Sequence, residues 1–196
     1  MTTTTQGEIS PNGLRAGKPS RGVTVWLTGL PCAGKTTLAR ALTDVLRGRG
    51  LATEVLDGDE VRTHLSAGLG FTREDREIQV SRIGYVAELL ARHGVMVVVP
   101  VIAPYSDARE KVRAHYQTHG TALLLVHLSA PVEVCAERDV KGLYAKAYRG
   151  EIQSMTGVDD PYEIPENPDL RIDTSTMDLE GSVQALVRAL AERGWL

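Results

Sequence analysis

Cysteine is scarce in this chain: there are two, Cys32 and Cys135. Neither has a CxxC partner or a metal-ligand spacing, so the cysteines imply no zinc site. They read as reduced thiols of a cytoplasmic protein. Long apolar runs are missing too. None approaches the ~18 residues that span a bilayer. The opening MTTTTQGEISPNGLRAGKPSRG lacks the apolar centre of a signal peptide, and residues 1–20 read as a polar, disordered tail. Nor is there an excess of one charge. A formal net charge of -3 gives no reason to expect nucleic acid or a membrane as partner. No internal repeat is found. What is present is ordinary: 196 residues, 42% apolar and 24% charged. That is one domain, long enough to bury a core without staples.

Apolar periodicity alternates along the chain. Residues 23–28 and 53–56 read as short strands, and VMVVVPVI over 95–102 as a central parallel strand covered on both faces. Residues 122–128 and 170–172 read as two more strands. Between and after them, residues 36–48, 74–93, 107–119, 131–138 and 179–193 carry helical spacing. Strand and helix in turn predict an α/β fold with a mostly parallel sheet. Residues 139–168 hold many glycines, prolines and charges with little periodicity. A loop of that length in a compact domain is usually functional.

The stretch Gly29-Leu30-Pro31-Cys32-Ala33-Gly34-Lys35-Thr36 fits GxxxxGK[ST], follows a predicted strand and opens a predicted helix. Backbone N–H groups free of side chains can wrap phosphate oxygens, and a helix start adds unpaired donors and a positive dipole end. Lys35 can reach the outer phosphates, and Thr36 can offer a hydroxyl to Mg²⁺. The stretch therefore predicts a nucleoside triphosphate site rather than a bare glycine turn.

Phosphate loops serve switches, motors and small-molecule kinases. A guanine-nucleotide switch normally offers NKxD, and the chain's asparagines are Asn12 and Asn167, neither in that pattern. Asp139-Val140-Lys141-Gly142 matches the loose DxxG pattern of a switch, but follows a predicted helix where a switch has it after a strand. Asp57-Gly58-Asp59-Glu60-Val61-Arg62 closes the second predicted strand, at the edge where open parallel sheets bind ligands. A carboxylate there can take a proton from an attacking hydroxyl or hold Mg²⁺, and Arg62 could hold a second, anionic substrate. An ordinary Asp-Gly turn is the bland alternative.

Together these residues resemble the adenylyl-sulfate kinase (APS kinase) family, from about Gly22 to the C-terminus. The carriers are Gly29–Thr37, Asp57-Gly58-Asp59 with Val61-Arg62, Gly70-Phe71-Thr72 and Asp75-Arg76. Most specific is Glu137-Arg138-Asp139-Val140-Lys141-Gly142-Leu143-Tyr144, continuing through Lys146 and Gly150-Glu151 to Thr156-Gly157-Val158-Asp159-Asp160-Pro161-Tyr162-Glu163 and Pro165-Glu166-Asn167-Pro168. The resemblance implies a three-layer P-loop NTPase fold over residues 21–196, its mostly parallel sheet of five to six strands flanked by helices. It implies ATP-dependent phosphorylation of the 3′-hydroxyl of adenosine 5′-phosphosulfate (APS), giving PAPS and ADP. It further implies that Gly29, Ala33, Gly34, Lys35, Thr36, Thr37 and Arg138 serve ATP, and that Thr36 and Asp57 serve Mg²⁺. Asp59 would be the base or its positioner, with Asp57 close behind; Lys35 and Lys141 complete the catalytic set, Lys141 on a mobile lid over about 139–168. Arg62 and Arg76 would bind the phosphosulfate and Phe71 the adenine, with Gln79, Ile102, Leu143, Met155 and Thr156 also at the acceptor. A homodimer is implied as well.

The chain departs from the family pattern on the acceptor side. Glu60 stands for a usual Asn. Ile78, Gln79 and Ser81 stand for Glu, Asn and Arg. Ala103 and Ser106 replace Ser and Arg, and Met155 replaces an aromatic residue. Two lost arginines remove positive charge that a sulfated phosphate would want. A relative acting on another 5′-substituted nucleotide is thus the second reading, and a catalytically vestigial regulatory protein the third. His115 and His119, four apart on a predicted helix, could form a metal pair, but no third ligand is evident and they read as exposed or capping residues.

Overall fold

The computed structural model describes residues 22–196; the expected tail over 1–20 lies outside them. Five strands form one sheet in the order β2-β3-β1-β4-β5, every pairing parallel. They are β1 (Val23–Gly29), β2 (Thr53–Val55), β3 (Met96–Pro100), β4 (Ala122–Leu128) and β5 (Leu170–Ile172). The helices are α1 (Lys35–Gly48), α2 (Gly58–Leu65), α3 (Arg73–Arg92), α4 (Ser106–His119), α5 (Val132–Arg138), α6 (Leu143–Tyr148) and α7 (Leu179–Glu192).

Side chains alternate across the sheet and divide the core in two. Val25, Leu27, Val98, Leu124 and Val126 pack with α1 and α7. Trp26, Val97, Val99 and Leu125 pack with α3 and α4. Both faces are therefore covered, which is why these strands read as nearly unbroken apolar runs. From β1 the chain crosses to β2 on one side and later reaches β4 on the other. The crevice at the carboxyl end of β1 is thus a topological switch point, where such sheets bind ligands.

Two helices escaped the sequence reading. The Asp57-Gly58-Asp59 segment is no simple turn: Asp57 is the N-cap of α2, its carboxylate accepting from the Asp59 N–H at 3.0 Å. The predicted loop over 139–168 contains α6. The Asp139–Gly142 stretch is its start, not a switch loop. Asp139 accepts from the N–H groups of Tyr144 (3.1 Å) and Ala145 (2.9 Å), while Gly142, at φ 65°, supplies the left-handed turn.

Candidate active site

The phosphate loop runs from the buried end of β1 into α1. Gly29 is needed by close approach: a Cβ there would lie 2.6 Å from the Leu128 carbonyl oxygen. Cys32 and Gly34 have φ of 61° and 87°, a left-handed geometry that turns successive N–H groups toward one concavity. For Cys32, a non-glycine residue, it is a strained one. Gly34 caps α1 without a side-chain hydrogen bond, so the helix start keeps free donors. Lys35 is buried, its Nζ donating to the carbonyl oxygens of Gly29 (2.9 Å) and Leu30 (2.7 Å). Burial lowers its ammonium pKa to about 8.

Beyond the loop opens a cleft of about 1680 Å³. On one side, the Thr36 hydroxyl donates to Asp57 Oδ2 at 3.1 Å. Asp59, on the first turn of α2, is contacted by the ammonium of Lys141, 82 residues away. That contact raises the Lys141 pKa and brings the 139–168 segment to the carboxylate pair. On the other side stand Phe71, exposed, and the guanidiniums of Arg62 and Arg76, 4.6 and 5.5 Å from its ring centroid. Arg62 is held by the carbonyls of Leu69 (3.2 Å) and Gly70 (2.9 Å), Arg76 by those of Phe71 (2.9 Å) and Ser154 (2.5 Å). Desolvation, then repulsion from Arg76, lowers the Arg62 pKa. Gln79 is buried; its amide N–H donates to the Gly58 carbonyl at 3.2 Å, while its Oε1 has no partner among the described residues.

Of the residues singled out in the sequence, Gly34, Lys35, Thr36, Thr37, Asp57, Asp59, Arg62, Phe71, Arg76, Gln79, Ile102, Arg138, Lys141, Leu143, Met155 and Thr156 all line this cleft. Gly29 and Ala33 do not. Ala33 is fully buried and its N–H is spent on the Leu30 carbonyl at 3.2 Å, so both shape the loop from behind.

Sequence reasoning missed the supports. Arg138 is held by the Thr174 hydroxyl (3.1 Å) and carbonyl (2.6 Å), and that hydroxyl in turn donates to the Ala33 carbonyl at 3.0 Å. Tyr144 ties α6 to the loop by donating to the Pro31 carbonyl at 3.2 Å. Asp159 accepts from the N–H groups of Ser154 (2.7 Å) and Met155 (2.6 Å), and Tyr105 donates to Asp160 at 2.8 Å. Each support joins residues far apart in the chain or depends on local turn geometry, so no spacing signals it.

The departures also sort differently in three dimensions. Glu60, Gln79, Ala103 and Met155 face the cleft; Ile78, Ser81 and Ser106 do not. Ser106 instead donates through its N–H (2.6 Å) and hydroxyl (2.7 Å) to Glu163, and Arg109 donates to the Glu163 carbonyl at 2.5 Å. The expectation that all the changes gather on the acceptor is therefore corrected. At position 106, serine anchors Glu163, near the end of the 139–168 segment.

Residues 21–173 match the family model described as adenylylsulphate kinase. The chain belongs to this family. An adenylyl-sulfate kinase of Rippkaea orientalis is 54% identical over 176 residues, 90% of this chain and 95% of that protein. One of Chloroflexus aurantiacus is 53% identical over 86% of this chain and 89% of its own length. Among solved family structures, the Mycobacterium tuberculosis APS kinase CysC in complex with AMPPNP and APS matches with a TM-score of 0.86 at 40% identity, covering 88% of this chain and 99% of that one. A hexameric APS kinase from Thiobacillus denitrificans matches at 0.70 and 34% identity, over 91% of this chain and 30% of that longer one. Among the described residues, no helix is long and apolar enough to cross a membrane.

Proposed function

We propose that the protein transfers the γ-phosphoryl group of ATP to the 3′-hydroxyl of APS, giving PAPS and ADP. The observation that carries the reading is the contact of Lys141 with Asp59, across a cleft that has a phosphate loop at one end and an aromatic ring with two guanidiniums at the other. A loop with free N–H groups and Lys35 suits a triphosphate. Phe71, Arg62 and Arg76 suit a nucleotide whose 5′-substituent is anionic. The unpartnered Gln79 Oε1 offers an acceptor for a donor on that nucleotide.

Asp59 takes the proton as the 3′-oxygen forms its bond to the γ-phosphorus and the bond to the ADP oxygen breaks. Lys141, charged and beside Asp59, positions that carboxylate and adds positive charge where the phosphoryl group moves. The hydroxyl of Thr36 and the carboxylate of Asp57, 3.1 Å apart, are hard oxygen donors of the kind Mg²⁺ takes, and they would hold it. Bound there, Mg²⁺ supplies neutralisation of phosphate charge. The lid excludes water, which would otherwise compete as acceptor. The homodimer implied by the resemblance and a cytoplasmic setting belong to the same reading; light scattering of the purified protein checks the first.

The test is ADP release with ATP and Mg²⁺ over a panel of acceptors, with products identified by mass. Acceptor-dependent ADP formation with APS supports the proposal. Turnover with another nucleotide but not APS overturns the acceptor assignment. ADP formation indifferent to every acceptor overturns the kinase reading.

A further inference from the structure

On one face of the sheet, toward the amino ends of β1 and β4 and away from the cleft, α3 and α4 pack against each other near their C-terminal ends. Glu88 of α3 lies in that contact with its side chain 1% exposed. Its Oε1 accepts from the Thr121 hydroxyl at 2.6 Å and has the guanidinium of Arg92 at 3.6 Å. Its Oε2 has no hydrogen-bond partner among the described residues, and neither has the buried Nε2 of His115, 3.7 Å away. One turn on, His119 is exposed, its Nδ1 2.9 Å from the His115 carbonyl oxygen. Donating there leaves the His119 Nε2 with a free lone pair and fixes the ring, the arrangement typical of a metal-ligating histidine. One donor atom from each of the three residues lies within 4.8 Å of the others. Glu88 is thus the third group that the histidine pair lacks in the sequence.

We propose that Glu88, His115 and His119 bind a late first-row divalent cation, with Zn²⁺ the best match. A wholly buried carboxylate with a bare oxygen is costly unless a cation compensates it, and Arg92 reaches the other oxygen. Two imidazoles and one carboxylate are a zinc donor set, with bonds of about 2.0–2.2 Å that put tetrahedral ligands roughly 3.3 Å apart. The Glu88 Oε2–His115 Nε2 separation of 3.7 Å is already near that value. Mg²⁺ is a poor match, since it favours oxygen ligands and octahedral geometry. The exposed side of His119 leaves room for water as fourth ligand. Bound there, the cation clamps α3 to α4 away from the cleft, and its role is structural.

The full chain, stripped with chelator and returned to buffer with excess Mg²⁺ to occupy the cleft carboxylates, is titrated with Zn²⁺ by calorimetry and with Co²⁺ by visible absorption. Expected are one equivalent of Zn²⁺ bound at micromolar or tighter Kd, a tetrahedral Co²⁺ spectrum, and a Tm that rises with Zn²⁺. His119→Ala, at an exposed position, keeps the metal-free Tm and ADP-release activity but weakens Zn²⁺ by at least about tenfold. Glu88→Gln abolishes the Co²⁺ spectrum. Absence of stoichiometric binding overturns the proposal. So does binding that both variants leave intact.

Discussion

Lys35 is a charge placed where little water reaches it. Desolvation lowers its pKa to about 8, whereas phosphate oxygens beside it would raise that value again. The sign follows: below about pH 8 the ammonium is present with or without nucleotide, and above it ATP binding takes up a proton. Affinity for ATP should therefore fall as pH rises past that point, by at most about tenfold per unit. Calorimetry in buffers of different ionisation heat should detect the proton. Asp59 can be tested in the same spirit. Asp59→Asn keeps the size and loses the base, so kcat should drop roughly 10²–10⁴-fold while ATP affinity changes little. A kcat within a few-fold of the parent would remove Asp59 from the proton-transfer role. The two aspartates differ locally: Asp57 is spent on the α2 cap and the Thr36 hydroxyl, and Asp59 on the lid lysine.

At the scale of elements, the 139–168 segment meets the phosphate loop through packing as well as charge. A Cβ on Gly157 would lie 2.7 Å from Leu30 Cδ2, and the residue has φ of 90°. Gly157→Ala should displace the Leu30 side chain and strain its own left-handed turn, by about 1 kcal/mol or more. We expect kcat/KM for the acceptor to fall about tenfold or more, with Tm lowered by only a few degrees. Steady-state kinetics beside a melting curve checks both, and unchanged kinetics would mean that the lid closes without this contact. The same region shows where sequence reading stops. Residues 139–168 have no apolar period, because α6 is six residues long and owes its place to Asp139 and Tyr144. The cap at Asp57 was legible in principle, since aspartate before a short helical run is a start signal. A helix as short as α2, with Val61 as its buried residue, gives periodicity too little to register.

For the molecule as a whole, one source of acid sensitivity is His127 in β4, which is buried and stacked on Tyr162 at 5.8 Å. Burial, with Arg171 and Arg109 nearby, lowers its pKa to about 4. The native state thus holds a neutral imidazole, while the unfolded chain protonates at the usual value near 6.5. The contribution of this group is full above about pH 6.5 and is lost as pH falls toward 4, by up to roughly 3 kcal/mol. Urea unfolding of the parent and of His127→Asn at neutral and acid pH should show a smaller acid loss in the variant. Equal losses would assign the acid sensitivity to other groups, such as Glu163, whose carboxyl is held below its usual range by Ser106.

The sequence by itself determined the parallel sheet, because both faces of its strands are buried and the apolar runs record that directly. It determined the phosphate loop as well, since the loop's chemistry lies in consecutive backbone groups. The acceptor wall was legible through the family pattern but not through spacing. Tertiary structure decided how that wall is composed. Arg76 is set by Ser154, Lys141 by Asp59 and Arg138 by Thr174, pairs 36 to 82 residues apart. It also decided that Ser106 holds Glu163 and that Glu88 lies beside the two histidines. Contacts across such separations depend on how helices pack onto the sheet, and no local period or spacing encodes that packing.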